Sequence, residues 1–253
     1  MASTPRAVIG WKAFAAALAA AGCMGFSNFA LPAPAWVKNA LSLGRADQLH
    51  ATPKVAKFLI DGGGAFVLDR SHNPALLKFE DGPEVWVVVP SRGPRGDILF
   101  KDDVGDILLR ATKLGGMTAF TSRRPSGSAA TLAGATSPLR LAPLGPAALY
   151  QRMVFASGRC THASHHLVGF EAPDADPKSA ALIADTAWLA MDAIVSLAGR
   201  SKGSIHVSKV ILVSGAKPAV WVQHAVLVIS VAPNQGLSGH PSSARIARVI
   251  EGP

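Results

Sequence analysis

Val55-Ala56-Lys57-Phe58-Leu59-Ile60-Asp61-Gly62-Gly63-Gly64-Ala65-Phe66-Val67-Leu68 is the stretch that decides the fold. Two short runs rich in branched and aromatic residues flank an acidic, triple-glycine turn. Glycine reaches positive φ without a Cβ clash, so the runs read as two strands of a hairpin. The signal repeats downstream. Leu76–Phe79 and Val85–Val89 flank Glu80-Asp81-Gly82-Pro83. Ile98–Phe100 and Ile107–Arg110 flank a second acidic turn, Lys101 to Asp106, and Gly115-Gly116 leads into Met117–Thr121. Connections this short place successive strands side by side and antiparallel, which predicts a meander of about seven strands over residues 54–122.

Residues 123–145, rich in Pro, Gly, Ser and Ala, read as a loop that closes this unit. Pro146 then opens a helix expected to reach Leu167, because Leu149, Met153, Ala156, Cys160 and Ala163 recur at steps of three and four. Asp176 and Pro177 fit the N-cap and first position of a second helix, which ends near Gly199. Strands follow at Ile205–Val213, Ala219–Val222 and Val226–Val231, read as a hairpin or three-stranded antiparallel sheet. Pro241-Ser242-Ser243 caps a short last helix, Ala244–Ile250. The expected class is α+β, with residues 146–253 packed on the meander as one compact domain.

Upstream, residues 36–53 form a lead-in, and residues 1–35 read as a cleavable secretory signal. Arg6 and Lys12 precede an apolar run, Ala13 to Phe26, which is shorter than the roughly 20 residues that span a bilayer. Small residues at Ala33 and Ala35 place the cut between Ala35 and Trp36. Lipidation at Cys23 is the weaker alternative, since Ala20 stands where a lipobox carries leucine. The expected address is the periplasm or the exterior, with no membrane span once the signal is removed. Cys160 is then the remaining cysteine, and no internal disulfide can form.

Charge is segregated. The chain carries +9, and +7 after loss of Arg6 and Lys12. Residues 107–170 contain no Asp or Glu, nor do residues 193–250. Arg110, Arg123, Arg124, Arg140 and Arg159 in the first of these segments are candidates for an anionic ligand, either an envelope polymer or a lipid headgroup; a protein partner is the alternative. An aromatic content of 6% and the exported address argue against nucleic acid.

Several residues suggest chemistry. His162 and His166, four apart on a helix, would share a face and could contribute two ligands to a metal; Cys160 would point the other way. Asp185 and Asp192, seven apart, share a face of the second helix, where paired carboxylates could serve acid–base work. Ser214-Gly215-Ala216-Lys217 matches Ser-x-x-Lys but lies between strands, whereas that chemistry needs a helix N-terminus. Asp102, Asp103 and Asp106 lack the ligand series of a calcium loop. No zinc-protease helix, nucleophile elbow or phosphate-binding glycine loop occurs, and no cofactor is expected. The favoured function is non-catalytic binding of an anionic envelope component, with a hydrolase of envelope substrates, metal-assisted through the histidines, as the alternative.

The stretches Phe66-Val67-Leu68-Asp69-Arg70-Ser71, Leu77-Lys78-Phe79-Glu80-Asp81 and Glu84-Val85-Trp86 carry a family resemblance. So do Pro94-Arg95-Gly96-Asp97, Leu109 to Gly116, Phe170-Glu171-Ala172-Pro173-Asp174 and Pro241 to Arg248. Together the sequence resembles domain of unknown function 4908, a family of exported alphaproteobacterial proteins, over most of residues 54–250. The resemblance implies an intact envelope-protein domain. It brings no activity, ligand or site residue.

Overall fold

The first seven strands form where the turns predict them, but the sheet they build closes on itself. In the computed structural model, which describes residues 52–200 and 206–252, β1 (Val55–Ile60), β2 (Ala65–Asp69), β3 (Ala75–Phe79), β4 (Val85–Arg92), β5 (Ile98–Lys101), β6 (Ile107–Ala111) and β7 (Met117–Thr121) pair in order, each antiparallel to the next. An eighth strand, β8 (Arg124–Ala135), pairs with β7 on one side and β1 on the other, completing a barrel. This corrects the expected open meander of seven strands. It also replaces most of the expected loop over 123–145 with the longest strand of the barrel. Hydrogen bonds to two neighbours hold β8 extended, so its small residues need no strand propensity of their own.

The barrel interior is filled by side chains. Phe58 stacks on Phe66 with centroids 5.0 Å apart, and Phe66 meets Phe79 at 5.8 Å. Leu68, Leu77, Val88, Phe100 and Leu109 complete this core. Eight strands enclose a bore about wide enough for such packing, and burial stabilises each large side chain by about 1.5–3 kcal/mol.

The rest of the chain forms a second layer. Helix α1 (Pro146–Ser164) and helix α2 (Ala180–Arg200) pack on each other and on a four-stranded sheet made of β9 (Gly169–Glu171), β10 (Lys209–Ser214), β11 (Ala219–Gln223) and β12 (Val226–Val231). Helix α3 (Ser243–Glu251) closes the chain against α2 and β11. The sheet order is β11-β12-β10-β9, with β10 parallel to both its neighbours and only β11–β12 antiparallel. The expected hairpin or three-stranded antiparallel sheet is therefore corrected to a mixed sheet of four. Burial explains the order: Leu227, Ile229 and Val231 of β12 and Val210 and Leu212 of β10 are fully buried, so these strands take the centre, while Trp221 and Val222 leave β11 as an exposed edge.

Helix α2 is long and apolar enough to cross a bilayer by length and composition, and 67% of that window is buried within the protein. Asp176, expected as the N-cap with Pro177 as the first helical residue, accepts hydrogen bonds from the amides of Lys178 and Ser179 in a turn, and the helix itself begins three residues later than expected, at Ala180. Residues 1–51, 201–205 and 253 lie outside the described residues, so the signal, its cut at Ala35–Trp36, Cys23 and the lead-in to residue 51 do too.

Candidate functional site

Three hairpin turns lie at the same end of the barrel because their strands alternate in direction: β3–β4, β5–β6 and β7–β8. Residues of all three, with α2 alongside, line a cleft of about 890 Å³. Phe79, Trp86 and Phe120 come from the barrel, and Trp188 comes from α2. Trp188 is held in place by Phe155 of α1, stacked at 5.6 Å and 6°. The polar groups are mostly acidic: Asp81, Glu84, Asp106 and Asp192 line the cleft, and the single basic side chain there is Arg123. Arg123 faces Asp81 at 3.5 Å on the open rim.

Glu84 is the buried member of this group, 8% exposed. Its carboxylate accepts the Ser243 amide at 2.9 Å and the Ser243 hydroxyl at 2.5 Å, which ties the first turn of α3 to the barrel. Burial pushes its carboxyl up to about 7, against the Ser243 hydrogen bonds, and the charges of Asp192 and Asp103 add to the rise. Desolvation also raises the carboxyl of Asp192, which is exposed toward the cleft. Beside Glu84, Asp103 accepts from the Ser242 amide at 3.1 Å and from the Ser242 hydroxyl, and Arg245 lies 3.9 Å away. Two barrel carboxylates thus clamp two successive serines at the start of α3, where a helix favours negative charge.

The five arginines singled out in the sequence do not form one cluster. Arg110 on β6 is bound to Asp97, Nε to Oδ2 at 2.6 Å and a second guanidinium nitrogen at 2.5 Å. Arg124 donates to the carbonyls of Asp61 and Gly62, bracing the β1–β2 turn. Arg123 stands on the cleft rim, and Arg140 lines a separate small pocket. Arg159 is exposed on α1 near Cys160.

The two histidines are also apart in role. His165 takes a left-handed conformation (φ 58°) that ends α1 at Ser164, so His166 lies beyond the helix. Its ring nitrogens face the carbonyls of Ser164 (3.0 Å) and Val207 (2.8 Å), while His162 is exposed on the helix. Among the described residues no three His, Cys, Asp or Glu side chains come together as a metal would need. Cys160 is fully buried, and burial pushes its thiol up to about 12.

The aspartate pair of α2 is divided. Asp192 reaches the cleft, and Asp185 lies in the small pocket. The sequence reading found Asp192 by its spacing but missed Glu84, Trp86 and Trp188 as site residues. Glu84 had one available signal, an acid beginning a β-branched strand immediately after a Gly-Pro turn, where a solvated residue would sit just as well.

A family model described as a domain of unknown function (DUF4908) matches residues 37–250. No curated protein and no solved structure matches the chain.

Proposed function

The chain belongs to that DUF4908 family, whose description assigns no activity, and from the chain's own geometry we propose that it is an exported, ligand-binding protein whose cleft takes a saccharide chain. The observation that carries this reading is the pairing of flat aromatic faces with carboxylates in one cleft. Trp86, Phe120 and Trp188 offer surfaces for the C–H face of a sugar ring. Asp106 and Asp192 are positioned to accept hydroxyl hydrogen bonds, which are stronger when the acceptor is charged. Four acids against one arginine disfavour an anionic ligand at this site, so the expectation of an anionic partner does not belong to the cleft. The export reading rests on the pattern of residues 1–35.

Tryptophan fluorescence during titration with chitotetraose tests this. Saturable quenching is expected, weakened roughly tenfold by Trp188→Ala through lost stacking, a change of about 1.4 kcal/mol. A linear, unsaturable response at millimolar sugar, identical in Trp188→Ala and Trp86→Ala, would end the proposal.

A second reading, hydrolysis of the same ligand, has one specific support. Glu84, with its carboxyl near 7, can hold a proton close to the second carboxyl of Asp192, and a pair of carboxyl groups is what hydrolysis of a glycosidic bond requires. Both Glu84 oxygens are already taken up by Ser243, which favours a structural role and places binding first. Release of reducing ends from a soluble glycan, abolished by Glu84→Gln and by Asp192→Asn, would reverse that order.

A further inference from the structure

Pro83 of the cleft also lines a second pocket, of about 140 Å³, whose charge is of the opposite kind. Lys78 of β3, Arg140 of the segment after β8 and Arg152 of α1 line it, with Leu144 and Asp185 among the walls. Several basic groups elsewhere on the molecule have acidic partners: Lys57 with Glu80, Arg110 with Asp97, Arg123 with Asp81, Lys209 with Glu171, Arg245 with Asp103. Among the described residues, Lys78, Arg140 and Arg152 form no such ion pair, although three separate segments bring them to one concavity.

We propose that this pocket is an oxyanion site, taking a phosphate or carboxylate group between Lys78, Arg140 and Arg152. The cavity holds a group of that size. Two guanidinium forks and an ammonium supply donors that can satisfy several oxygens at once, with the arginines able to bind two oxygens each. Asp185 is the single acid in the wall. It sits below the rim on α2 and feels His240, Arg152 and Lys78 without pairing closely with any of them. Its charge opposes an incoming anion, so it sets how tightly the site holds one. The site accounts for Arg140 as an anion-binding residue while leaving Arg110 and Arg124 to the contacts that already use their guanidinium groups. It goes beyond the saccharide cleft and does not depend on it: failure of the chitotetraose titration would leave this site untouched, and the reverse.

Calorimetric titration of the full chain at low ionic strength with inorganic phosphate, and separately with acetate, tests the site. Arg140→Gln and Arg152→Gln alter exposed side chains, and circular dichroism will confirm that each variant is folded. Each substitution is expected to weaken anion binding at least fivefold, and raising salt should weaken it further. Asp185→Asn should tighten it severalfold, a gain that a merely structural role for Asp185 would not produce. Arg123→Gln, on the cleft rim, should leave it unchanged. Phosphate tighter than acetate by tenfold or more assigns a phosphoryl ligand, and a smaller or inverted difference assigns a carboxylate. The proposal is overturned if neither anion binds at 10 mM, or if Arg123→Gln weakens binding as much as Arg140→Gln does, since a diffuse basic surface would then be responsible.

Discussion

Glu84 illustrates how one side chain can tie local chemistry to the stability of the whole. Its carboxyl ionises near 7 when folded, against an ordinary value of 4.5, because burial penalises the charge more than the Ser243 hydrogen bonds relieve it. An acid whose folded pKa is raised holds its proton in the native state over a range where the unfolded chain has released it. Stability therefore falls as pH rises from about 4.5 to about 7 and is level above that. The size is about 3 kcal/mol for this group, at roughly 1.4 kcal/mol per pH unit. Glu84→Gln cannot ionise, so its unfolding free energy should lose that slope. The measurement is thermal unfolding of both proteins between pH 4.5 and 8: the gap should move in the variant's favour as pH rises, and parallel profiles would refute the assignment. Asp69 acts with the opposite sign. Although fully buried, it accepts from the Ser71 amide and hydroxyl and from the Leu139 amide, and its carboxyl lies below the ordinary value. Its contribution is present above about pH 3.8 and is lost in acid, outside the Glu84 window.

At the scale of elements, strand β8 is the piece on which closure depends. Gly127 sits within it at φ 87°, and a Cβ there would lie 2.7 Å from Thr118 Cγ2 and 2.8 Å from Phe120 Cε1. Both the backbone conformation and the space exclude a side chain, so Gly127→Val should cost about 3 kcal/mol or more. Because β8 joins β7 to β1, the damage should spread: amides of β1 as well as β8 should lose more protection than those of β10 and β12, which fall only by the shared loss of global stability. Equal loss across both layers would mean that closure is not the weak point. The same strand shows why the sequence disclosed some elements and hid others. Strands β1 to β7 were legible because each is a short, largely apolar run, most of them set off by turns that contain glycine. Strand β8 was not, since Arg124 to Ala135 holds Pro, Gly, Ser and Ala and is extended only because partners on both sides require it. The parallel pairing of β9 was hidden for a related reason: three residues, Gly169 to Glu171, give no period to read, and their partner β10 lies beyond an intervening 21-residue helix. At the sites, spacing revealed Asp185 and Asp192, but it could not show that barrel turns would put one in an aromatic cleft and the other among arginines. Likewise, His162 and His166 shared a face only if the helix continued past Ser164, and a left-handed His165 prevents that.

For the molecule as a whole, the question is whether the barrel and the α/β layer stand or fall together. Each has its own core, the phenylalanine-rich barrel interior and the α2-centred cluster. A third, smaller cluster lies between them: Leu76 and Val85, on the outer face of β3 and β4, enclose Leu237 from the 3-10 segment Pro233–Ser238. The Glu84–Ser243 and Asp103–Ser242 contacts span the same boundary, and the cleft and the oxyanion pocket are both built across it. Both sites therefore need the layers held in register, and the boundary contacts are the means. Leu237 tests this because it belongs to neither large core and lines the small pocket without being one of its charged groups. Leu237→Ala should cost about 2–3 kcal/mol as a buried leucine truncation. If the layers are cooperative, urea unfolding stays a single transition with an unchanged slope and a lower midpoint. If they are independent, the variant instead shows two transitions or a shallower slope, with barrel and helical signals separating. The single transition is the expected result, since carboxylate–serine bonds at two successive residues remain to hold α3 on the barrel after the leucine is gone.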